Sequence, residues 1–377
     1  MLNITAVSNF VSSYHHFFSL KSQGTSSFRR SALQKMVEKV IWIDTDCGFD
    51  DLCAISLLAD YGLRFPKKLE IGYVSSVNGM TNPRMGQSVI KKLLQFPAFN
   101  CRPMVACGID SEASQMNFIT ESDWGTQYIN DFSAFASKQL QITNQTDSEL
   151  HQSIGDSGGQ NNSNIDEMIS EITKLEKAQK VTLLCLGPLT NIANIIRRNP
   201  TFLEDRVEKI VLMGGAVLVS GNAPGNAEYN FYMDPVSAAF VLQNCKIPIE
   251  MLGLEVANDK YPTKEQYVQL TSAIRSTDKT KDNTNEIFQP KTFIRDLAIQ
   301  RKDSLSYDPI VSYYLMNPDA FTFETMKIKV DSLTGHTRRV EMDGMKDHSM
   351  QDVVEISLAV SFRNEEYFNY LESIFAG

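Results

Sequence analysis

The stretch Val40-Ile41-Trp42-Ile43-Asp44-Thr45-Asp46-Cys47-Gly48-Phe49-Asp50-Asp51 decides how this chain folds. Its four leading apolar residues suit a strand buried on both faces. Four carboxylates then fall within the eight residues 44–51, around Gly48, which permits a tight turn. Leu52, Ile55, Leu58 and Ala59 recur at helical spacing, and Gly62 stands where it could end that helix. Strand, acidic turn and helix follow in that order. In an open α/β sheet such a turn lies at the carboxyl ends of the strands, where ligands bind.

Carboxylates this close repel one another unless positive charge sits among them. A hard divalent cation such as Ca²⁺, which takes oxygen ligands, answers that need. A solvated acidic turn with one Asp capping the helix fits the same residues. Cys47 and Cys53 stand six positions apart, which is no zinc spacing.

At 377 residues the chain has ample core for one large domain or two smaller ones. A net charge of −9 argues against non-specific nucleic-acid binding, and no apolar run approaches the ~20 residues that span a bilayer. Six scattered cysteines do not resemble a disulfide framework and point to a reducing compartment. Residues 1–36 lack Asp and Glu, are rich in Ser, and carry Lys21, Arg29, Arg30 and Lys35. That composition fits a disordered leader or an organelle transit peptide. The expected location is cytoplasmic, with mitochondrial import the alternative.

Further apolar runs predict strands at 69–77, 104–107, 181–186, 210–213 and 248–252. Between them, Val89, Leu93 and Leu94 mark one helix, Ile165, Met168, Ile169, Ile172 and Leu175 another, and a third ends at Arg198. A Ser-, Asn-, Gln- and Gly-rich stretch near 143–164 reads as a surface insertion, with His151 solvated in it. The alternation predicts an α/β fold: an open, mostly parallel β-sheet flanked by helices, in a single large domain over 37–377.

A second polar constellation runs Gly221-Asn222-Ala223-Pro224-Gly225-Asn226-Ala227-Glu228-Tyr229-Asn230-Phe231-Tyr232-Met233-Asp234-Pro235. Its carboxamides donate and accept while Glu228 accepts, which suits a ligand bearing several hydroxyls, such as a sugar. Taken alone, the stretch is better read as a turn-rich surface loop with Asp234-Pro235 opening a helix. Tyr307-Asp308-Pro309 reads on its own as a helix start.

Together these segments resemble the nucleoside hydrolase family of the inosine-uridine preferring type. The family's Asp-x-Asp-Pro-Gly-x-Asp-Asp turn matches Asp44 to Asp51, with Cys47 in the proline position. Asn78, Leu186-Gly187-Pro188-Leu189-Thr190-Asn191, Met213-Gly214-Gly215, the 221–235 loop and Tyr307-Asp308-Pro309 match in family order. The resemblance implies Ca²⁺-dependent hydrolysis of the N-glycosidic bond of ribonucleosides. By position, Asp46, Asp51 and Asp308 would bind the ion through carboxylates and Leu186 through its carbonyl, with Asp46 also the general base. Asp50, Asn78, Asn222, Glu228, Asn230 and Asp308 would hold the ribose hydroxyls, with Met213 packed nearby. Asp44 would brace the turn. The implied partner is a small-molecule ribonucleoside, with no nucleic acid or membrane, in a homo-oligomer (dimer or tetramer).

Three departures fall on this pattern. Cys47 replaces a stiffening proline, a change the fold should tolerate, as a small buried residue or as an oxidisable thiol. Tyr307 stands where many members carry a histidine associated with protonating the leaving group, and tyrosine is the poorer acid at neutral pH. It could still hydrogen-bond to or stack on the base. Between Gly108 and Tyr128, where some relatives place a histidine, there is none, although Trp124 and Tyr128 are available for stacking. Two other readings fit part of the sequence: a nucleoside- or ribose-binding relative with altered catalysis, and a dehalogenase-like phosphotransferase using the Asp-x-Asp motif.

Overall fold

The computed structural model describes residues 37–94, 104–108, 131–132, 134–135, 160–174, 180–277, 290–341 and 352–376. The leader at 1–36, most of the polar insertion with His151, and Trp124 and Tyr128 lie outside the described residues. The first half runs β1 (Lys39–Thr45), α1 (Phe49–Arg64), β2 (Leu69–Ser76), α2 (Pro83–Leu93), β3 (Met104–Cys107), α3 (Gln160–Thr173) and β4 (Val181–Cys185). It continues with α4 (Thr190–Arg198), α5 (Phe202–Arg206), β5 (Val207–Met213), α6 (Tyr229–Met233), α7 (Pro235–Asn244) and β6 (Ile249–Leu252). Then come α8 (Lys264–Thr277), α9 (Pro290–Gln300), α10 (Asp308–Met316), β7 (Phe321–Val330), β8 (Thr337–Arg339), β9 (Val353–Phe362) and α11 (Asn364–Phe375).

The strands form one nine-stranded sheet in the order β3-β2-β1-β4-β5-β6-β9-β7-β8. Every pairing from β3 across to β9 is parallel, and β7 runs antiparallel to both β9 and β8. The chain leaves β1 for β2 on one side and later returns to β4 on the other. That reversal opens a crevice at the carboxyl end of β1, between the two directions of winding. Strand β1 is buried from Val40 to Thr45, as its unbroken apolar run requires. Trp42 satisfies its indole N–H by donating to Ser75 Oγ on β2 at 2.8 Å.

Three local expectations change. Helix α1 runs past Gly62 to Arg64, and a Cβ at Gly62 would stand 3.0 Å from the Leu69 carbonyl, so this glycine admits the start of β2. Helix α3 begins at Gln160, inside the polar stretch. Its buried Ile165, Met168 and Ile172 anchor the helix, and a nucleated helix extends through polar residues at little further expense. The acidic turn places its positive φ on Cys47 (62°) and not on Gly48, whose φ is −66°.

That last geometry suits cysteine better than the proline of the family pattern. Proline holds φ near −65° and has no N–H, whereas the Cys47 N–H donates to Thr45 Oγ1 at 3.1 Å. The thiol is fully buried and its ionisation is pushed well up by that burial, so it packs as a small apolar group. Cys47→Pro is therefore expected to destabilise the fold by more than about 1 kcal/mol in thermal or chemical unfolding. An unchanged midpoint would show that the turn adopts another conformation.

Candidate active site at the strand ends

Asp51 sits in the first turn of α1, where it accepts from the Thr45 hydroxyl and from the Gly48 N–H at 3.0 Å. This contact ties the end of β1 to the start of the helix. Asp46 points into the crevice, where its Oδ2 accepts from the Met80 N–H at 3.0 Å. Thr81 binds the Asp46 carbonyl through its N–H at 3.1 Å and its hydroxyl at 2.8 Å. The loop after β2 thus wraps around Asp46. Gly79 makes that approach feasible, because a Cβ there would stand 2.1 Å from Asp46 Oδ2. Gly187, after β4, approaches from the other side, 3.0 Å from Asp46 Cβ by the same measure.

Asp308 opens α10 and reaches this turn from more than 250 positions away. Ligand atoms of Asp50, Asp51 and Asp308 lie within 4.8 Å of one another, an arrangement that could hold a metal ion. Asp51 also hydrogen-bonds to Asp46 and to Asp308. Burial drives the carboxyls of Asp46, Asp51 and Asp308 upward, and neighbouring carboxylates push Asp51 and Asp308 further. Burial also raises half-buried Asp50 to about 8, with Asp303 and Asp46 adding to it. The charges named here are all acidic, so an oxygen-seeking divalent cation fits this donor set and would reverse the preference for protons. A phosphotransferase would want a basic residue among them, and that reading gains no support.

The ribose-side candidates assemble on the opposite wall. Asn230 Nδ2 donates to the Leu186 carbonyl at 2.8 Å and to the Met213 carbonyl at 3.2 Å, with Met213 Sδ 3.5 Å away. Glu228 is the N-cap of α6. Its oxygens accept from the N–H groups of Asn230 (2.8 Å), Gly215 (3.0 Å) and Phe231 (3.1 Å). Burial raises its carboxyl to about 7 against those three donors. Asn222 is exposed, and its Oδ1 accepts from the Tyr229 N–H at 2.9 Å. Tyr307 hydrogen-bonds to Asn222, and burial pushes its hydroxyl well above the ordinary range. Asn78 is buried at the end of β2.

Asp44 stays behind these groups. Its Oδ1 accepts from Ser75 Oγ and from Asn191 Nδ2 at 2.8 Å, and Asn191 also donates to the Ser76 carbonyl at 2.9 Å. Burial lifts its carboxyl to about 7 in spite of those bonds. Asn191, Gly79, Gly187 and Thr81 received no role from the sequence alone. Asn191 lay inside a motif already quoted, but what it touches depends on the β1–β4 pairing.

Comparison with known proteins bears on this site. The family model described as inosine-uridine preferring nucleoside hydrolase matches residues 41–369. A probable uridine nucleosidase 1 of Oryza sativa is 31% identical over 182 residues, covering 46% of this chain and 54% of that protein. The pyrimidine-specific ribonucleoside hydrolase RihA of Shewanella woodyi is 31% identical over 166 residues, 44% of this chain and 52% of that protein. The chain thus spans about half the length of these relatives. An inosine-uridine preferring nucleoside hydrolase from Bacillus anthracis superposes with TM-score 0.62 at 17% identity, over 90% of this chain and 99% of that one. The plant nucleoside hydrolase PpNRh1 does so with TM-score 0.63 at 20% identity, over 90% and 99%. At these identities the superpositions establish the fold.

Removing the Asp44 carboxylate strands two buried donors. Asp44→Ala is expected to lower stability by about 2 kcal/mol or more, while Asp44→Asn keeps the acceptor and stays close to the parent. Denaturant unfolding checks this, and equal stability of the two variants would show that the Ser75 and Asn191 bonds contribute nothing.

Proposed function

Because the chain belongs to the inosine-uridine preferring nucleoside hydrolase family, we propose that it hydrolyses the N-glycosidic bond of ribonucleosides with the help of Ca²⁺. The observation that carries this reading is the gathering of Asp50, Asp51 and Asp308 beside Asp46, at the point where the sheet reverses direction. The carboxylates of Asp46, Asp51 and Asp308 and the Leu186 carbonyl would hold the ion. Asn230 uses one lone pair of that carbonyl and leaves the other. A bound calcium ion supplies positive charge that orders water at the strand ends and makes it more acidic.

Asp46 takes the proton of the attacking water, in an orientation set by the Met80 N–H. General-base assistance of this kind is worth ~10²–10⁴-fold. Asp50, Asn78, Asn222, Glu228, Asn230 and Asp308 hold the ribose hydroxyls while Met213 packs against the sugar. Glu228 commits three of roughly four acceptor sites to backbone N–H groups, so it meets a hydroxyl as a rigidly placed acceptor. As the base departs, positive charge develops on the ribosyl carbon, and the surrounding acids favour that state over the ground state.

The five described cysteines, Cys47, Cys53, Cys107, Cys185 and Cys245, are free thiols, which supports a reducing, cytoplasmic setting. Among the described residues no helix is long and apolar enough to cross a membrane. A homo-oligomer remains part of the proposal. The burial of Tyr307 favours a second reading, a nucleoside-binding relative with altered catalysis. One assay separates the two: purine and pyrimidine ribonucleosides incubated with the Ca²⁺-replete chain, with free base and ribose measured. Turnover is expected, falling ~10²–10⁴-fold in Asp46→Asn and abolished by chelation. Binding without product would favour the second reading, and the absence of both would contradict this section.

A further inference from the structure

The ribose-side wall has little backbone structure of its own. Helix α6 has five residues, too few to hold a direction unaided. The loop before it is broken by Gly221, Pro224 and Gly225, and Asn222, Pro224, Gly225 and Asn226 are exposed. From the inside, Asn230 and Glu228 tie this segment to the ends of β4 and β5, through the Leu186 and Met213 carbonyls and the Gly215 N–H. From the outside it rests on the turn between β7 and β8.

That turn, residues 331–336, is internally braced. Strand β7 is paired with β9 from Phe321 to Lys329, which fixes its root. Asp331 Oδ1 accepts from the N–H groups of Leu333 at 2.9 Å and Thr334 at 3.0 Å. The Gly335 N–H donates to the Asp331 carbonyl at 2.8 Å, and the Asp331 N–H donates to the His336 carbonyl at 2.9 Å. Gly335, with φ at 77°, lies directly on the backbone of α6. A Cβ there would stand 2.4 Å from the Phe231 carbonyl oxygen and 2.8 Å from the Tyr232 nitrogen, and Phe231 is the residue after Asn230. Two further contacts follow the loop. A Cβ at Gly225 would stand 3.6 Å from Thr334 Cβ, and Asn226 Nδ2 lies 3.5 Å from His336 Nε2. Asn226 Oδ1 in turn accepts from the Gly221 N–H at 3.0 Å, beside Asn222.

We propose that Asp331 and Gly335 are positioning residues for the ribose: the turn they shape sets where Asn222, Glu228 and Asn230 meet the sugar hydroxyls. The inference rests on the ribosyl-hydrolysis reading above. Asp331 shapes the turn, and Gly335 transmits its position to the α6 backbone by close contact. Precision is what such a support supplies, since a misplacement of ~1 Å in groups that hold a substrate can cost ~10²-fold in rate. A carbon needs ~3.3 Å or more from a carbonyl oxygen, so a side chain at position 335 must displace α6 or the turn by about 1 Å. Asp46, Asp51 and Asp308 belong to β1, α1 and α10 and lie outside this contact.

Deleting one sugar hydroxyl at a time separates positioning from plain structural support. The parent and Gly335→Ala are assayed on a ribonucleoside and on its 2′-, 3′- and 5′-deoxy forms. Gly335→Ala is expected to lower kcat/KM for the ribonucleoside ~10–10²-fold. It is also expected to shrink the parent's penalty for at least one missing hydroxyl by about tenfold, because the variant no longer makes that contact well. An equal loss on all four substrates, or no loss on any, would overturn the proposal. Should Gly335→Ala fail to fold, Asp331→Ala at an exposed position frees two N–H groups and loosens the turn without adding bulk. The same non-additivity is then expected at about threefold, and its absence counts against the turn. A parent chain that cleaves no ribonucleoside would overturn the ribosyl-hydrolysis reading, and this inference with it.

Discussion

Carboxylates removed from water repel one another strongly, and this fold sets Asp46, Asp50, Asp51 and Asp308 at a single point. Much of the surrounding structure answers to that constraint. The reversal of strand order at β1 opens the space, α10 delivers Asp308, and Gly79 and Gly187 leave room for the Asp46 side chain. Burial pushes the carboxyl of every member upward, and mutual repulsion adds to it. Such an arrangement could hold a metal ion that neutralises it.

Local pattern carried the core of the fold. The parallel strands β1 to β6 announce themselves as apolar runs because both faces are covered, and their ends differ from expectation by at most three residues. Strands β7 to β9, at the far end of the sheet, escaped that logic. In β7, Met326, Ile328 and Val330 are buried while alternate residues are more exposed, a period-two signal weaker than a continuous run. The acidic turn and the 221–235 loop were legible as chemistry. That they face each other was not, because the links between them are tertiary: Asn230 to Leu186, and Asn191 to Asp44. Nothing in the local sequence distinguishes Gly79 as a neighbour of Asp46. Arg301 and Phe49 likewise meet only once the 3₁₀ turn Lys302–Leu305 packs beside α1.

The two sides of the crevice are built differently. Asp46, Glu228 and Asn230 are buried and bonded to backbone groups, so their directions are set before any ligand arrives. Tyr307, by contrast, enters α10 with a positive φ of 57°.

Everything rests on a cation being the partner of these aspartates. Calorimetric titration of the metal-stripped chain with Ca²⁺ tests that most directly. The account predicts one ion bound per chain, with affinity reduced at least ~10-fold in both Asp51→Asn and Asp308→Asn. No binding, or binding indifferent to both substitutions, would contradict it.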